Sequence, residues 1–243
     1  MFYYLFSKRN INQIKVHLDK YTTMNREIIR TEDGSPTIFV PELNEHYHSV
    51  HGAVQESKHV FIDAGLKAVS KENIRIFEMG YGTGLNALLT LLESLRKGLS
   101  VKYYAIEQYP LEPEVSKQLK FADFLQLAEK ERQFLNTMES AHWNTEVSVT
   151  PGFIIKKIHT NILTCELDFE YDLVYFDAFA PAVQPELWET SVFRKIYNSL
   201  DKDGILVTYC SKGEVRRRLK ETGFTVEKLP GPPGKREITR AYK

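Results

Sequence analysis

Three segments of this 243-residue chain place glycines or a carboxylate directly after a run of apolar residues. The segment FEMGYGTGLN carries Gly80, Gly82 and Gly84, YYAIE ends on Glu107, and LVYFDAFAP places Asp177 after four apolar residues. Alternating glycines let the backbone approach a ligand closely, and a helix that follows them directs its N–H groups at that ligand. A carboxylate at the end of an apolar run is costly to bury unless it has a partner or a task. These residues predict a ligand site with an acid–base group.

The glycine segment favours S-adenosyl-L-methionine as the ligand. Its spacing is G-x-G-x-G, whereas the dinucleotide fingerprint is G-x-G-x-x-G. Glu78 stands two positions before Gly80, where a carboxylate suits the ammonium of a methionine moiety and repels a pyrophosphate. Glu107 follows Gly84 by 23 residues, close to the spacing at which an acid reaches the ribose hydroxyls. The alternative is a tight turn that binds no ligand.

Strands and helices that alternate along the chain would position these residues. The segments predicted as strands are 73–80, 101–107, 146–153, 171–176 and 203–210, after a hairpin turn at 32–35, and those predicted as helices are 86–98, one or two helices within 114–138, 186–200 and 213–223. This order predicts an α/β fold, a mostly parallel sheet with helices on both faces and a small β-rich N-terminal extension. Ligands bind such sheets at the carboxyl ends of the strands, where the three segments end.

Composition limits the class of protein. The chain is 42% hydrophobic, which predicts one globular domain, and 32 basic residues balance 32 acidic ones, so the total charge indicates no partner. We expect no membrane association, because no apolar run approaches the roughly 20 residues that span a bilayer. No signal peptide is recognisable, and the two cysteines predict a reducing, cytoplasmic location.

Domain organisation is predicted from the same patterns. Residues 1–63 are predicted to form an N-terminal extension with a segment that leads to the site, and residues 64–243 the domain that binds S-adenosyl-L-methionine. The strand-like pattern starts directly after Met24, so the functional start is either Met1 or Met24, with 1–23 as an extension.

Five motifs resemble the methyltransferase domain of the MnmC family. They are EHYHSVHGAVQESKHVF, FEMGYGTGLN, EQYPL, DAFAPAVQPELW and GPPGKRE, and they occur in the family's order between about residues 30 and 240. The resemblance implies a class I, Rossmann-like methyltransferase that uses S-adenosyl-L-methionine. It implies that a 5-aminomethyl group on the wobble uridine of tRNA becomes 5-methylaminomethyl. Two-domain members add a flavin-dependent oxidase, so this chain resembles the stand-alone form, for which a separate enzyme would supply the aminomethyl precursor.

The resemblance also implies roles for individual residues. Asp177 would orient and deprotonate the acceptor amine beside a stiff apolar wall of Phe179 and Pro181, as in other amine methyltransferases with a polar residue, prolines and an aromatic residue at this position. Tyr47 would lie near the cofactor, with Ser49 and Glu56 from the same motif. The cofactor contacts expected are Glu78, Gly80, Gly82, Gly84, Asn86, Glu107, Asp177 and, for adenine, Asn161. A purely structural role for Asp177 would be to cap a helix.

The C-terminal part is basic although the whole chain is neutral. Nine basic and four acidic residues lie between positions 211 and 240, a net charge of +5, which would suit the phosphates of tRNA. GPPGKRE holds Lys235 and Arg236 in a rigid frame that predicts a phosphate contact. A solvated amphipathic helix explains Arg216 to Lys220 almost as well. The histidines of HYHSVH match no metal motif, so we predict no metal site there and a polar surface instead.

Two other functions stay open at this point. An aminopropyltransferase of the spermidine synthase type shares the fold and an Asp near the same strand end, but a polyamine substrate would favour acidic residues where this chain is basic. A non-catalytic RNA-binding module would have lost the cofactor site, whereas the glycine segment and Asp177 are intact. Titration with S-adenosyl-L-methionine would separate the module from an enzyme.

Overall fold

The computed structural model describes residues 24–243, so the predicted extension 1–23 and the choice of start lie outside the described residues. Two sheets are present. The small sheet consists of β1 (Glu27–Arg30), β2 (Pro36–Val40) and β3 (Glu45–His46). The large sheet consists of β4 (Asn73–Met79), β5 (Ser100–Glu107), β6 (Glu146–Thr150), β7 (Phe153–His159), β8 (Tyr171–Phe176), β9 (Leu200–Thr208), β10 (Thr225–Pro230) and β11 (Glu237–Tyr242).

The order of the large sheet brings the predicted site together. Its strands lie in the order β10-β11-β9-β8-β4-β5-β7-β6, and β9, β8, β4, β5 and β7 run parallel. Met79 at the end of β4 pairs with Ile106 of β5 on one side and with Phe176 of β8 on the other. The glycine segment, Glu107 and Asp177 therefore leave three adjacent strands at the same edge of the sheet, as predicted.

Helices cover both faces of this sheet. They are α1 (Ala53–Ser57), continued by a π-helical turn (Lys58–Asp63), α2 (Leu85–Lys97), α3 (Pro113–Gln118), α4 (Phe121–Phe124), α5 (Glu129–Ser140), α6 (Thr190–Ser199) and α7 (Gly213–Thr222). The central strand β8 is buried at every position because both faces of the sheet are covered there. On β8, Tyr175 packs into the core cluster that contains Leu88 of α2, whereas Phe176 packs into the other cluster with Phe193 of α6. The predicted fold class is confirmed.

Three predicted elements were wrong in detail. The segment 146–153 is not one strand, because Pro151 and Gly152 form a turn between the antiparallel strands β6 and β7, and the sequence analysis missed β7. The helix predicted over 186–200 is a 3₁₀ turn, Pro185–Trp188, followed by α6, and Leu200 already belongs to β9. The segment 114–138 contains three helices.

The small sheet packs onto the large domain. Ile38 and Val40 of β2 belong to the same buried core cluster as Leu85 of α2. The division between residues 63 and 64 stays a prediction. Within residues 24–243, no helix is both long and apolar enough to cross a membrane.

Candidate active site

A cavity of about 400 Å³ opens at the carboxyl ends of β4, β5 and β8. Gly80 and Gly82 of the glycine segment, Glu107 and Asp177 line it from the sheet, whereas Gly84 does not, and residues 45–51 with Glu56 line it from the N-terminal side. Gly234 and Lys235, from the turn between β10 and β11, complete the wall. The structure therefore places most of the predicted site residues around one cavity.

The glycine segment is folded tightly against the two neighbouring strands. The N–H groups of Gly80 and Tyr81 both donate to the carbonyl of Ile106, at 3.1 and 3.0 Å. Gly80 has a φ of +91°, and a Cβ built there would lie 2.6 Å from the carbonyl oxygen of Asp177. Gly84 precedes α2 with a φ of +76°, and no side chain caps the N-terminus of this helix. The first turn of α2 therefore keeps N–H groups for a ligand carboxylate.

Glu107 joins the end of β5 to the glycine segment. Its Oε2 accepts a hydrogen bond from the N–H of Gly82 at 3.1 Å, and its Oε1 accepts one from the N–H of Tyr109 at 2.9 Å. Each oxygen keeps a lone pair that could accept a hydrogen bond from a ribose hydroxyl. The carboxylate is thus held at the cavity wall in an orientation that suits the predicted ribose contact.

Glu78 lies behind the wall of the cavity. Its side chain is completely buried and does not line the cavity, because the alternation along β4 turns it toward α2. Its Oε1 accepts a hydrogen bond from Nδ2 of Asn86 at 3.0 Å. Burial raises the pKa of the Glu78 carboxyl well above its usual range, against the lowering effect of Asn86. Glu78 therefore lies behind Asn86 in this structure, and its predicted contact with the cofactor ammonium stays a prediction.

Asp177 has the environment of a base that works near neutral pH. Its Oδ2 accepts a hydrogen bond from Nδ2 of Asn86 at 2.8 Å. Burial raises the pKa of Asp177 to about 7, the Asn86 bond and the charge of Lys235 oppose this rise, and the charge of Glu56 adds to it. The capping alternative does not fit, because the next helical turn starts at Pro185.

The segment after Asp177 forms one wall of the cavity. The ring of Phe179 meets the ring of Tyr47 edge-on, with centroids 5.2 Å apart. The backbone is fixed by two long side chains: Trp188 Nε1 donates to the carbonyl of Phe179, and the Tyr209 hydroxyl donates to the carbonyl of Ala178, both at 2.8 Å. Pro181 is buried but does not line the cavity, so its predicted wall position is wrong.

Asn161 lines the cavity after β7, at the position expected for the adenine contact. Its Oδ1 already accepts a hydrogen bond from the N–H of Leu163 at 2.8 Å, which fixes the side chain within the turn. The Nδ2 group is the part that could donate to a ring nitrogen of adenine. The contact itself stays a prediction.

Lys235 and Arg236 are separated by the structure. The Nζ of Lys235 lies 2.5 Å from Oε2 of Glu56, inside the cavity, whereas Arg236 is exposed. The expectation that both side chains present a phosphate-binding pair on the surface is therefore wrong for Lys235. The reason is the buried carboxylate of Glu56, which attracts the nearest free ammonium.

Part of the basic C-terminal segment is structural. Arg216 is buried, and its guanidinium pairs with Glu237 at 2.8 Å and bonds Thr239 at 3.0 Å, so the solvated-helix prediction is wrong at this residue. Arg240 pairs with Glu227 at 2.8 Å. The exposed basic residues are Lys212, Arg217, Lys220, Lys228 and Arg236. Lys228 lies 3.9 Å from Glu237, and all five side chains lie on the surface.

Tyr209 and His48 are two of the cavity residues that sequence analysis did not assign to the site. Tyr209, directly after β9, lines it, and the only signal was an aromatic residue at a strand end. His48 was predicted to lie on a polar surface, but its two ring nitrogens lie 3.0 Å from the Thr37 hydroxyl and 3.2 Å from that of Thr83. Burial, helped by the charge of Lys235, lowers the pKa of His48 to about 4, so the ring is neutral. Across residues 24–243, no three His, Cys, Asp or Glu side chains converge as a metal site would require.

Known proteins are similar to this chain in sequence and in fold. Residues 123–243 match a family described as S-adenosyl-L-methionine-dependent methyltransferase. The tRNA 5-methylaminomethyl-2-thiouridine biosynthesis bifunctional protein MnmC of Leptospira interrogans is 31% identical over 81% of this chain and 32% of its own length. The chain thus spans about a third of the bifunctional relatives it matches.

Solved structures that superpose on this chain include an MnmC protein as well. The crystal structure of MNMC2 from Aquifex aeolicus superposes with a TM-score of 0.69 and 27% identity, covering 96% of this chain and 76% of that one. The spermidine synthase of Thermotoga maritima superposes with a TM-score of 0.51 but 13% identity, over 90% of this chain and 68% of that one. The second similarity concerns the fold alone, so the aminopropyltransferase alternative is not favoured.

Proposed function

We propose that this chain is an S-adenosyl-L-methionine-dependent methyltransferase of the MnmC type and that it methylates the 5-aminomethyl group of the tRNA wobble uridine, a proposal that its similarity to MnmC proteins supports. The observation that carries the proposal is Asp177, a base with a pKa of about 7 at the end of β8 beside the glycine segment. An amine acceptor needs such a base, because an alkylammonium is protonated at neutral pH and has no free lone pair.

The residues around the cavity fit the cofactor. The N–H groups at the uncapped N-terminus of α2 can donate hydrogen bonds to the carboxylate of the methionine moiety, and Glu107 can accept hydrogen bonds from the ribose hydroxyls. Asn86 has a buried Oδ1 with no partner within the described structure, and its position on the cavity wall suits the methionine ammonium. When bound, S-adenosyl-L-methionine supplies an electrophilic methyl group.

The residues of the chain prepare the acceptor. Asp177 accepts a proton from the acceptor ammonium, which leaves a lone pair on the nitrogen and a neutral carboxyl on Asp177. Asn86 keeps the Asp177 carboxyl in one orientation through its hydrogen bond. The rings of Phe179 and Tyr47 exclude water and restrict the acceptor to one approach. Exposed basic residues, Arg236 among them, would contact tRNA phosphates.

Mass spectrometry of the wobble nucleoside tests the proposal. Undermodified tRNA that carries 5-aminomethyluridine is incubated with the protein and S-adenosyl-L-methionine, and the expected product is 5-methylaminomethyluridine. A protein that binds no S-adenosyl-L-methionine would be the non-catalytic module. We further propose that the reaction takes place in the cytoplasm.

We also propose that a separate enzyme supplies the aminomethyl group. To test this, tRNA with an unmodified uridine at the wobble position is incubated with this protein and S-adenosyl-L-methionine alone, and it should remain unmethylated.

A further inference from the structure

The ammonium of Lys235 lies within the active-site cavity and is surrounded by groups that recognise cations. Its Nζ is 2.5 Å from Oε2 of Glu56 and 4.2 Å from the centroid of the Tyr209 ring. The side chain of Glu56 is only 10% exposed and that of Lys235 28%. A buried carboxylate and an aromatic face are the two groups that bind an alkylammonium most favourably.

Asp177 borders the same place. Glu56, Asp177 and Lys235 line the same cavity, and the charges of Lys235 and Glu56 act on Asp177 with opposite signs. Tyr209 lines the cavity as well. The Tyr209 ring cannot move away easily, since its hydroxyl donates to the carbonyl of Ala178 at 2.8 Å. A cation between Glu56 and Tyr209 thus lies in the same cavity as the residue that would take its proton.

We propose that Glu56 and Tyr209 form the subsite for the acceptor ammonium and that Lys235 occupies this subsite until the acceptor displaces it. The inference rests on the proposed function, because the side chain of Lys235 ends in a primary alkylammonium, the same group that 5-aminomethyluridine carries. One subsite cannot hold two ammonium groups beside one carboxylate. Glu56 then selects a protonated amine, and Asp177 accepts its proton.

The turn that carries Lys235 allows this exchange without a change in the backbone. The N–H of Lys235 donates to the carbonyl of Pro232 at 2.9 Å, and the N–H of Gly231 donates to the carbonyl of Arg236 at 3.1 Å. Gly234 lies so close to the ring of His51 that a Cβ there would be 2.0 Å from it. The backbone is therefore pinned, and rotation of the flexible side chain is what moves the ammonium from the subsite toward the cavity mouth.

Binding of the nucleoside 5-aminomethyluridine, in the presence of S-adenosylhomocysteine, separates this role from a purely structural ion pair. Lys235→Met removes the internal competitor, so we expect about tenfold tighter binding if Lys235 fills the subsite about nine-tenths of the time. Glu56→Gln should bind the nucleoside about tenfold more weakly, because a charged partner is lost. Lys97→Met, at an exposed position on α2, is the matched control and should leave binding unchanged. Equal or weaker binding to Lys235→Met would overturn the proposal.

The rate at which Lys235 is acetylated in the wild-type protein gives a second test that does not depend on whether the variants fold. In the free protein, Lys235 should react more slowly than the exposed Lys97, as followed by mass spectrometry. Saturation with tRNA that carries 5-aminomethyluridine should raise its rate toward that of Lys97, and the same tRNA with uridine should not. Equal protection by both tRNAs contradicts the inference. If Lys235 is released but no methylaminomethyluridine forms after S-adenosyl-L-methionine is added to a parallel sample without acetylation, the proposed function is contradicted and the subsite stands.

Discussion

Asn86 and Asp177 are joined by a hydrogen bond of 2.8 Å that connects the first turn of α2 to the end of β8. The same Nδ2 group donates to Glu78 at 3.0 Å, so both of its protons are used. The amide therefore links the helix that would hold the cofactor to the residue that would act on the acceptor. Because Asn86 fixes one carboxylate oxygen of Asp177, the other oxygen remains for the acceptor.

Asp177 should be essential for methylation and dispensable for folding. Asp177→Ala should bind S-adenosyl-L-methionine within a few-fold of wild type and lose about 10²–10⁴-fold in methylation rate, the usual contribution of a positioned acid–base group. Asp177→Asn should keep more activity than alanine, because its amide oxygen still accepts an N–H, and its rate should peak at higher pH. Single-turnover rates on aminomethylated tRNA would show this. Full activity of either variant would remove Asp177 from the mechanism.

The raised pKa of Asp177 should make stability and activity change with pH in opposite directions. The folded carboxyl keeps its proton up to about pH 7, whereas the unfolded one loses it near its ordinary value of 3.8. Its contribution to stability is thus present at low pH and lost as the pH rises through about 7. At pH 8, Asp177→Asn should be about 1–3 kcal/mol more stable than wild type, with little difference at pH 4. Urea unfolding at both pH values measures this, and the exposed Glu72→Gln serves as a control without such a difference.

Glu107 should contribute to cofactor affinity. Glu107→Ala removes a charged acceptor and the bond that holds the N–H of Gly82, so binding should weaken by about 1.5–3 kcal/mol, or roughly 10- to 150-fold. Glu107→Gln keeps one acceptor oxygen and should lose less. Calorimetric titration with S-adenosyl-L-methionine gives both values. An unchanged affinity of the alanine variant would contradict the ribose contact.

A comparison of alanine substitutions at Gly80 and at Gly98, which lies outside the glycine segment, tests whether the close backbone approach at Gly80 matters. Both have positive φ, +91° and +69°, but a Cβ at Gly80 would lie 2.6 Å from the carbonyl oxygen of Asp177, whereas nothing lies within 4 Å of one at Gly98. Gly98→Ala should cost about 1–2 kcal/mol for the left-handed backbone alone. Gly80→Ala should cost more and also slow methylation, because the strand end with Asp177 must shift. Denaturation and activity assays of both variants test this. An equal loss of stability in the two variants would show that the backbone around Asp177 shifts freely to make room for the added methyl group.

Arg236 should contact tRNA, whereas Arg216 should stabilise the fold. Arg236→Ala should lower the slope of the logarithm of tRNA affinity against the logarithm of salt concentration by about one unit. Arg216→Ala leaves Glu237 without its buried partner, so it should lower the melting temperature and leave the salt slope unchanged. Filter binding over a range of salt concentrations separates the two. A wild-type slope for Arg236→Ala would mean that this side chain is only solvated.

The sequence by itself determined the fold class, the glycine segment and the two acids that end strands, Glu107 and Asp177. These signals are local: apolar runs, glycine spacing and a carboxylate directly after a strand all lie within about ten residues. Since parallel strands end at one edge of a sheet, the local signals were also enough to predict that the three segments meet. The turn at Pro151 and Gly152 was local as well, and the strand β7 was missed because the turn was read as part of a strand.

Only the tertiary structure decided the partners of the charged side chains. Lys235 is 179 positions from Glu56 in the sequence, and their ion pair turns a predicted surface residue into a cavity residue. The same holds for Glu78, which strand alternation and the position of α2 direct away from the cavity, and for Arg216, which a carboxylate on β11 holds in the interior. The energy of a charge depends on its burial and on which opposite charge lies within a few ångströms, and both are set by contacts between segments distant in the chain.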